Sequence, residues 1–162
     1  MPKRVLVVCT GNTCRSVMAQ GLLQEQLSRS ADRLKEPIEV TSAGVFAIEG
    51  MLPSRETLRL LQQEGIDLSG HRARRLTDDM IRQADLILAM DQHHVEEVLR
   101  QVPDAKPKLH LLKPFGLANP HEAGDLNVPD PIGKPLEVYE VCFAMIREAV
   151  ARVTQALASS QT

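Results

Sequence analysis

The sequence predicts an α/β fold: a four-stranded parallel sheet with helices on both faces. Three observations predict it. Four short apolar runs are spread along the chain, with helix-type segments between them. The first run leads through a polar, turn-forming stretch straight into apolar residues at helical spacing. The chain closes on a long amphipathic segment. Strands that alternate with helices form parallel sheets, and the crossover helices cover both faces.

Each element has its own signal. After Arg4 come Val5, Leu6, Val7 and Val8, so residues 4–8 read as a buried strand. The turn-forming stretch 9–16 follows, and Met18, Ala19, Leu22, Leu23 and Leu27 then recur with helical period. Residues 38–42 read as a second strand, closed by Gly44. Ser54 suits the N-cap of a helix that runs to Gly65, a good C-terminal stop. Thr77 before Asp78 and Asp79 marks another helix start, with acids favourable in the first turn. Residues 86–90 are a third strand, the chain from Asp91 to about Gln101 is helical, and residues 108–112 are a fourth strand. Residues 113–135 carry five prolines and three glycines, and so long a connection is functional or disordered. Tyr139, Phe143, Ile146, Val150, Val153 and Leu157 step by four and three, giving one amphipathic helix over 136–158. With no repeat, linker or low-complexity tract, residues 1–162 read as one domain.

Composition narrows the function. Hydrophobic residues at 43% and charged residues at 25% are the balance of a soluble globular protein. No apolar run approaches the ~20 residues that span a bilayer. The start of the chain lacks both a signal-length apolar region and a small-residue cleavage site, so the expected location is the cytoplasm, with no membrane partner. A net charge of −2 and 2% aromatics argue against nucleic acid. The three cysteines have no zinc spacing, and His93 and His94 diverge as helix neighbours, so no metal or cofactor is expected. The chain is expected to be a monomer or weak oligomer.

The chemistry concentrates in residues 9–16: Cys9, Thr10, Gly11, Asn12, Thr13, Cys14, Arg15 and Ser16. A Cys-x5-Arg spacing alone is weak, because the arginine content makes it a chance event about one time in four. Its position between a strand and a helix is what gives it meaning. A loop there turns backbone N–H groups inward as an anion nest, backed by the helix dipole. Such a nest stabilises a thiolate, the nucleophilic form of cysteine. It also holds phosphate oxygens, with Arg15 as a bidentate fork and Ser16 as a donor to the sulfur. The alternative is a buried cysteine at a tight turn. Phosphoryl transfer to sulfur needs a general acid for the leaving group. Asp130, in the stiff turn Asp130-Pro131-Ile132-Gly133, is the best-placed carboxylate, although Asp-Pro-x-Gly is also a common turn signal.

The loop from Val8 to Ser16, with Thr41-Ser42-Ala43-Gly44, Gly70-His71-Arg72-Ala73-Arg74, the stretch from Ala84 to Asp91 and Asp130-Pro131, resembles the low-molecular-weight protein tyrosine phosphatases, in order and over nearly the whole chain. The resemblance implies a four-stranded parallel sheet with the phosphate-binding loop after its first strand. It implies Cys9 as nucleophile, Arg15 as transition-state clamp and Asp130 as acid and then base. Thr10, Gly11, Asn12, Thr13, Cys14 and Ser16 line the phosphate site, with Asn12, Ser16, Ser42 and His71 as its supporting network. A phosphorylated protein is the implied partner. Thr13 and the stretch from Ser42 to Ala47 resemble a bacterial branch that acts on phosphoarginine, whereas phosphotyrosine enzymes often carry an apolar residue at the position of Thr13. Ile132 stands where the arginine branch has an aromatic residue and the tyrosine enzymes commonly have tyrosine, so both substrates stay open, with phosphoarginine favoured. Cys14 is placed to form a reversible disulfide with Cys9, or is a buried thiol. Cys142 reads as core. An arsenate reductase would need two relay thiols, and no cysteine lies between Cys14 and Cys142. A non-catalytic phosphate-binding module would not need Cys9, Arg15 and Asp130 together.

Overall fold

The computed structural model describes residues 2–161. Among them, strands Arg4–Cys9 (β1), Glu39–Gly44 (β2), Leu86–Ala89 (β3) and Leu109–Leu111 (β4) form one sheet in the order β2-β1-β3-β4. Every pairing is parallel. The helices are Arg15–Arg29 (α1), Arg55–Gln63 (α2), Asp78–Gln83 (α3), Gln92–Gln101 (α4) and Leu136–Ser160 (α5). No helix among the described residues is long and apolar enough to cross a membrane.

The strand ends differ from the sequence reading by a residue or two, for identifiable reasons. β1 takes in Cys9, which pairs in register with Gly44 and so carries β2 past Ser42. Ile38 stays outside because Glu39 pairs with Arg4, the first residue of β1. β3 ends at Ala89: the Met90 N–H still donates to Val8 O at 3.2 Å, but its carbonyl accepts from Val128 of the long loop, at 2.8 Å. Lys108 belongs to a 3-10 turn, Pro103–Lys108, and its ammonium holds the carbonyls of Arg82 and Ala84 at the end of α3. The expected caps are in place: Ser54 accepts from Thr57 N–H and Thr77 from Met80 N–H. Gly65 has φ +74, the left-handed conformation that ends a helix most easily on glycine. The last helix runs to Ser160, two residues past the expected end at 158.

Side chains alternate along a strand, so β1 feeds two cores. Val5, Val7 and Cys9 pack with apolar residues of α1, α2 and α5. Leu6 and Val8 pack with residues of α3, α4 and the neighbouring strands. β1 is thus buried on both faces, which explains its unbroken apolar run. The chain leaves β1 for β2 on one side, and β3 lies on the other. The carboxyl ends of β1 and β3 therefore flank a switch in strand order, where open parallel sheets form ligand crevices. Cys9 ends β1, and Asp91 follows β3.

Candidate active site

Residues between β1 and α1 form an open loop whose carbonyls are tied outward. Val45 N–H donates to Cys9 O and Phe46 N–H to Thr10 O, each at 2.9 Å. Ser54 N–H holds Thr13 O at 3.0 Å, and His71 Nε2 donates to Asn12 O at 3.3 Å. No cis peptide occurs among the described residues, and a trans peptide aims its N–H opposite its C=O. The loop amides that follow these carbonyls therefore face the concave side, the arrangement of an anion nest.

Asn12 makes the turn possible. It is the one non-glycine residue with positive φ among the described residues, at +57°. Asparagine tolerates that conformation better than most residues. Its side chain is buried and spans the site. Nδ2 donates to Ser16 Oγ at 2.7 Å and Ser42 Oγ at 2.9 Å, and Oδ1 accepts Arg74 N–H at 2.9 Å. Ser42 in turn donates to Gln20 Oε1 at 2.5 Å. Ser16 Oγ stands 2.9 Å from Cys9 Sγ, and the Asn12 N–H reaches the same sulfur at 3.3 Å. Because Ser16 accepts from Asn12, its own proton is free for the sulfur. Burial pushes the His71 pKa down, its contact with Asn12 O works the other way, and the charges of Arg74 and Arg72 add to the lowering.

Arg15 is only 2% exposed, yet carries a full charge. Nη1 donates to Asp91 Oδ2 at 3.0 Å and Val128 O at 2.9 Å. Nη2 reaches Thr10 Oγ1 at 3.2 Å and lies 3.6 Å from Asp130 Oδ2. Nε is buried without a hydrogen-bond partner. An orphaned buried donor costs about 1–3 kcal/mol, so a buried guanidinium whose Nε–H has no partner suits a site built to receive an oxyanion. Burial disfavours charge on Asp91, but its contacts with His94 and the hydrogen bond and charge of Arg15 outweigh it, and the carboxyl stays below its usual range.

The structure gathers Cys9, Thr10, Asn12, Arg15, Ser16, Ser42, His71 and Asp130 around one loop. Asp130 is half exposed, with Oδ1 accepting Ile132 N–H at 3.1 Å in a local turn. Ile132 is 57% exposed on that turn. Thr13 is buried. The three cysteines are free thiols. Cys14 is buried in the core below β1, with its sulfur 3.4 Å from Ser54 Oγ and 3.7 Å from Tyr139 Oη. Cys142 is fully buried and donates to Pro129 O at 3.2 Å, beside Asp130. Sequence reasoning missed Gln20, His94 and the carbonyl of Val128 as parts of the site. It took Asp91 only as a helix start and Ser54 only as a cap. A carboxylate directly after β3, the strand beside β1, was the available signal for Asp91.

Fold and loop together define a class: α/β proteins with a four-stranded parallel sheet and a cysteine- and arginine-bearing anion nest after the first strand. The chain belongs to the low molecular weight phosphotyrosine protein phosphatase family, whose model matches residues 4–162. It is 36% identical to a protein-arginine-phosphatase of Geobacillus stearothermophilus over 99% of this chain and 100% of that one. It is 30% identical to the low molecular weight protein-tyrosine-phosphatase Wzb of Escherichia coli K12, over 99% of both. The solved structure of the YwlE arginine phosphatase from G. stearothermophilus superposes with a TM-score of 0.83, covering 99% of this chain and 96% of that one.

Gly44 gives this geometry its sharpest test. A β-carbon there would stand 2.4 Å from Thr10 O and 2.9 Å from Asn12 N, both backbone atoms of the loop. Gly44→Ala is expected to cost roughly 1–3 kcal/mol in urea unfolding through overpacking. Turnover of para-nitrophenyl phosphate should fall at least about tenfold as the loop shifts. Wild-type stability and turnover in this variant would contradict the tight packing of the loop on β2.

Proposed function

We propose that this chain dephosphorylates protein side chains in the cytoplasm through a phosphocysteine on Cys9, with phosphoarginine as its preferred substrate. The observation that carries the reading is the Cys9 sulfur, set between two hydrogen-bond donors in the loop that ends at the buried, partly unpartnered Arg15. The Cys9 thiolate attacks phosphorus, and the bond to the substrate oxygen or nitrogen breaks. Asp130, protonated in this step, gives its proton to the leaving group. The bond electrons stay with that group, and the phosphoryl group is left on sulfur. Asp130, now a carboxylate, takes a proton from water as the water attacks phosphorus. The P–S bond breaks, releasing phosphate and restoring the thiolate, which Ser16 stabilises by hydrogen bonding. Through both steps the loop amides and Arg15 hold the equatorial oxygens, where charge stabilisation supplies most of the catalysis.

Two features support a protein substrate and a guanidine leaving group. Phe46, Ile48, Met51 and Leu52 are exposed on the segment after β2, which is tied to the loop through Phe46 N–H and Ser54 N–H. A cluster of exposed apolar side chains beside a site suits a macromolecular surface. Thr13 places a hydroxyl in the loop where an aliphatic chain would offer nothing to a guanidinium. Phosphotyrosine is the second reading, favoured by the family description and by the likeness to Wzb.

Three outcomes are expected. Cys9→Ser should abolish turnover of para-nitrophenyl phosphate, a fall of at least roughly 10³-fold, while vanadate still binds, measured by calorimetry. Retained turnover would eliminate the covalent route. Asp130→Asn should slow aryl phosphates with basic leaving groups by about 10²–10⁴-fold and activated ones far less. An equal loss across a leaving-group series would remove Asp130 as the acid. Wild type should show a higher kcat/KM on phosphoarginine peptides than on phosphotyrosine peptides, and Thr13→Ile should move that ratio toward phosphotyrosine. An unchanged ratio would exclude Thr13 as the selector.

A further inference from the structure

We infer that His94 is a positioning residue that aligns Arg15 by acting through the Thr10 hydroxyl. This assignment rests on the proposed role of Arg15 as the oxyanion clamp. His94 is fully buried in the first turn of α4, while its neighbour His93 is exposed. Its ring bridges two features otherwise distant in sequence. Nδ1 accepts the Asp91 N–H at 3.1 Å, and Nε2 lies 2.9 Å from Thr10 Oγ1.

The first contact decides the second. An imidazole nitrogen that accepts an N–H carries no proton, so the ring proton is on Nε2, and Nε2 donates to Thr10. Asp91 Oδ1 also lies 3.4 Å from Nδ1, but that oxygen already accepts the His93 N–H at 3.0 Å, and Oδ2 accepts from Arg15. Burial, first, keeps the ring neutral. It pushes the His94 pKa down to about 4, against the pull of the Asp91 and Asp130 charges and with the help of Arg15 and His93.

Thr10 Oγ1 therefore receives two donors, His94 Nε2–H and Arg15 Nη2–H, which fill its two lone pairs. Arg15 is held on one side by Asp91 and on the other by a hydroxyl that His94 holds in turn. Asp91 and His94 form the capping box of α4, so the first turn of one helix mounts both ends of the guanidinium. With both Nη groups fixed, Nε is left without a partner, and the second Nη2–H has only the Asp130 carboxylate at 3.6 Å. Such outer contacts hold a catalytic group to the narrow tolerance its chemistry needs.

The test uses kcat, KM and the competitive inhibition constant of inorganic phosphate, with para-nitrophenyl phosphate as substrate. His94→Asn keeps an acceptor near the Nδ1 position and loses the donor to Thr10. It is expected to lower kcat and weaken phosphate inhibition by roughly ten- to a hundredfold. His94→Gln, whose amide both accepts from the cap and donates toward Thr10, should recover to within about threefold of wild type. In a Thr10→Val background, His94→Asn should cost less than about twofold more, because the route through the hydroxyl is already gone. Full additivity of the two losses, or a glutamine variant no better than the asparagine one, would overturn the assignment. Ring ¹⁵N shifts of the wild-type protein test it without a variant: Nδ1 unprotonated and Nε2 protonated is expected, and the reverse tautomer refutes it. Acid-quench trapping of a phosphoenzyme in wild type tests the underlying reading alone. Its absence defeats the phosphocysteine route; its presence with additive variants or the reverse tautomer defeats only the role of His94.

Discussion

A guanidinium at 2% exposure is tolerated only where the structure replaces the water it gave up. That constraint organises this molecule. Arg15 heads α1, and its side chain lies among Asp91 after β3, Val128 in the long loop, Thr10 after β1 and Asp130 beyond. One buried charge thus joins the ends of two strands, a helix cap and a loop rich in proline. Removing a partner of such a charge is far more damaging than losing a surface pair, because the charge would then be buried and uncompensated.

The loop above it is held by a different set of forces. Its carbonyls are bonded from the segment just after β2, the cap of α2 and the segment of His71, and Asn12 anchors it from within. The outcome is pre-organisation: the amides face the concave side before any ligand arrives. Catalysis by fixed dipoles depends on that, since no reorientation is then needed as charge develops. Gly44 belongs to the same design, because only a residue without a β-carbon lets β2 approach the loop backbone so closely. The two systems meet at Thr10, whose carbonyl is held by Phe46 just after β2 and whose hydroxyl faces Arg15 and His94.

Much of the fold was legible because its signals are local. The valine run before Cys9, the helical period from Met18 to Leu27, the caps at Ser54 and Thr77, and the stripe from Tyr139 to Leu157 each declare an element within a short window. The strand ends shifted where a partner from elsewhere intervened, as when Val128 took the Met90 carbonyl at the end of β3. The long loop, residues 113–135, reads as a connection that is functional or disordered; the structure places one short 3-10 turn inside it, Pro120–Ala123. Its role in holding Arg15 through a backbone carbonyl left no trace in residue type.

The sequence by itself determined the strand–loop–helix unit, the pairing of Cys9 with Arg15 across it, and the turn that carries Asp130, because neighbouring residues specify backbone conformation directly. Tertiary structure alone decided what surrounds Arg15. Its contacts with Asp91 and Val128 span 76 and 113 residues, and the bond from His94 to Thr10 spans 84. No periodicity encodes such contacts. They exist because β1 and β3 lie side by side in the sheet, which brings the chain after each strand to the same edge.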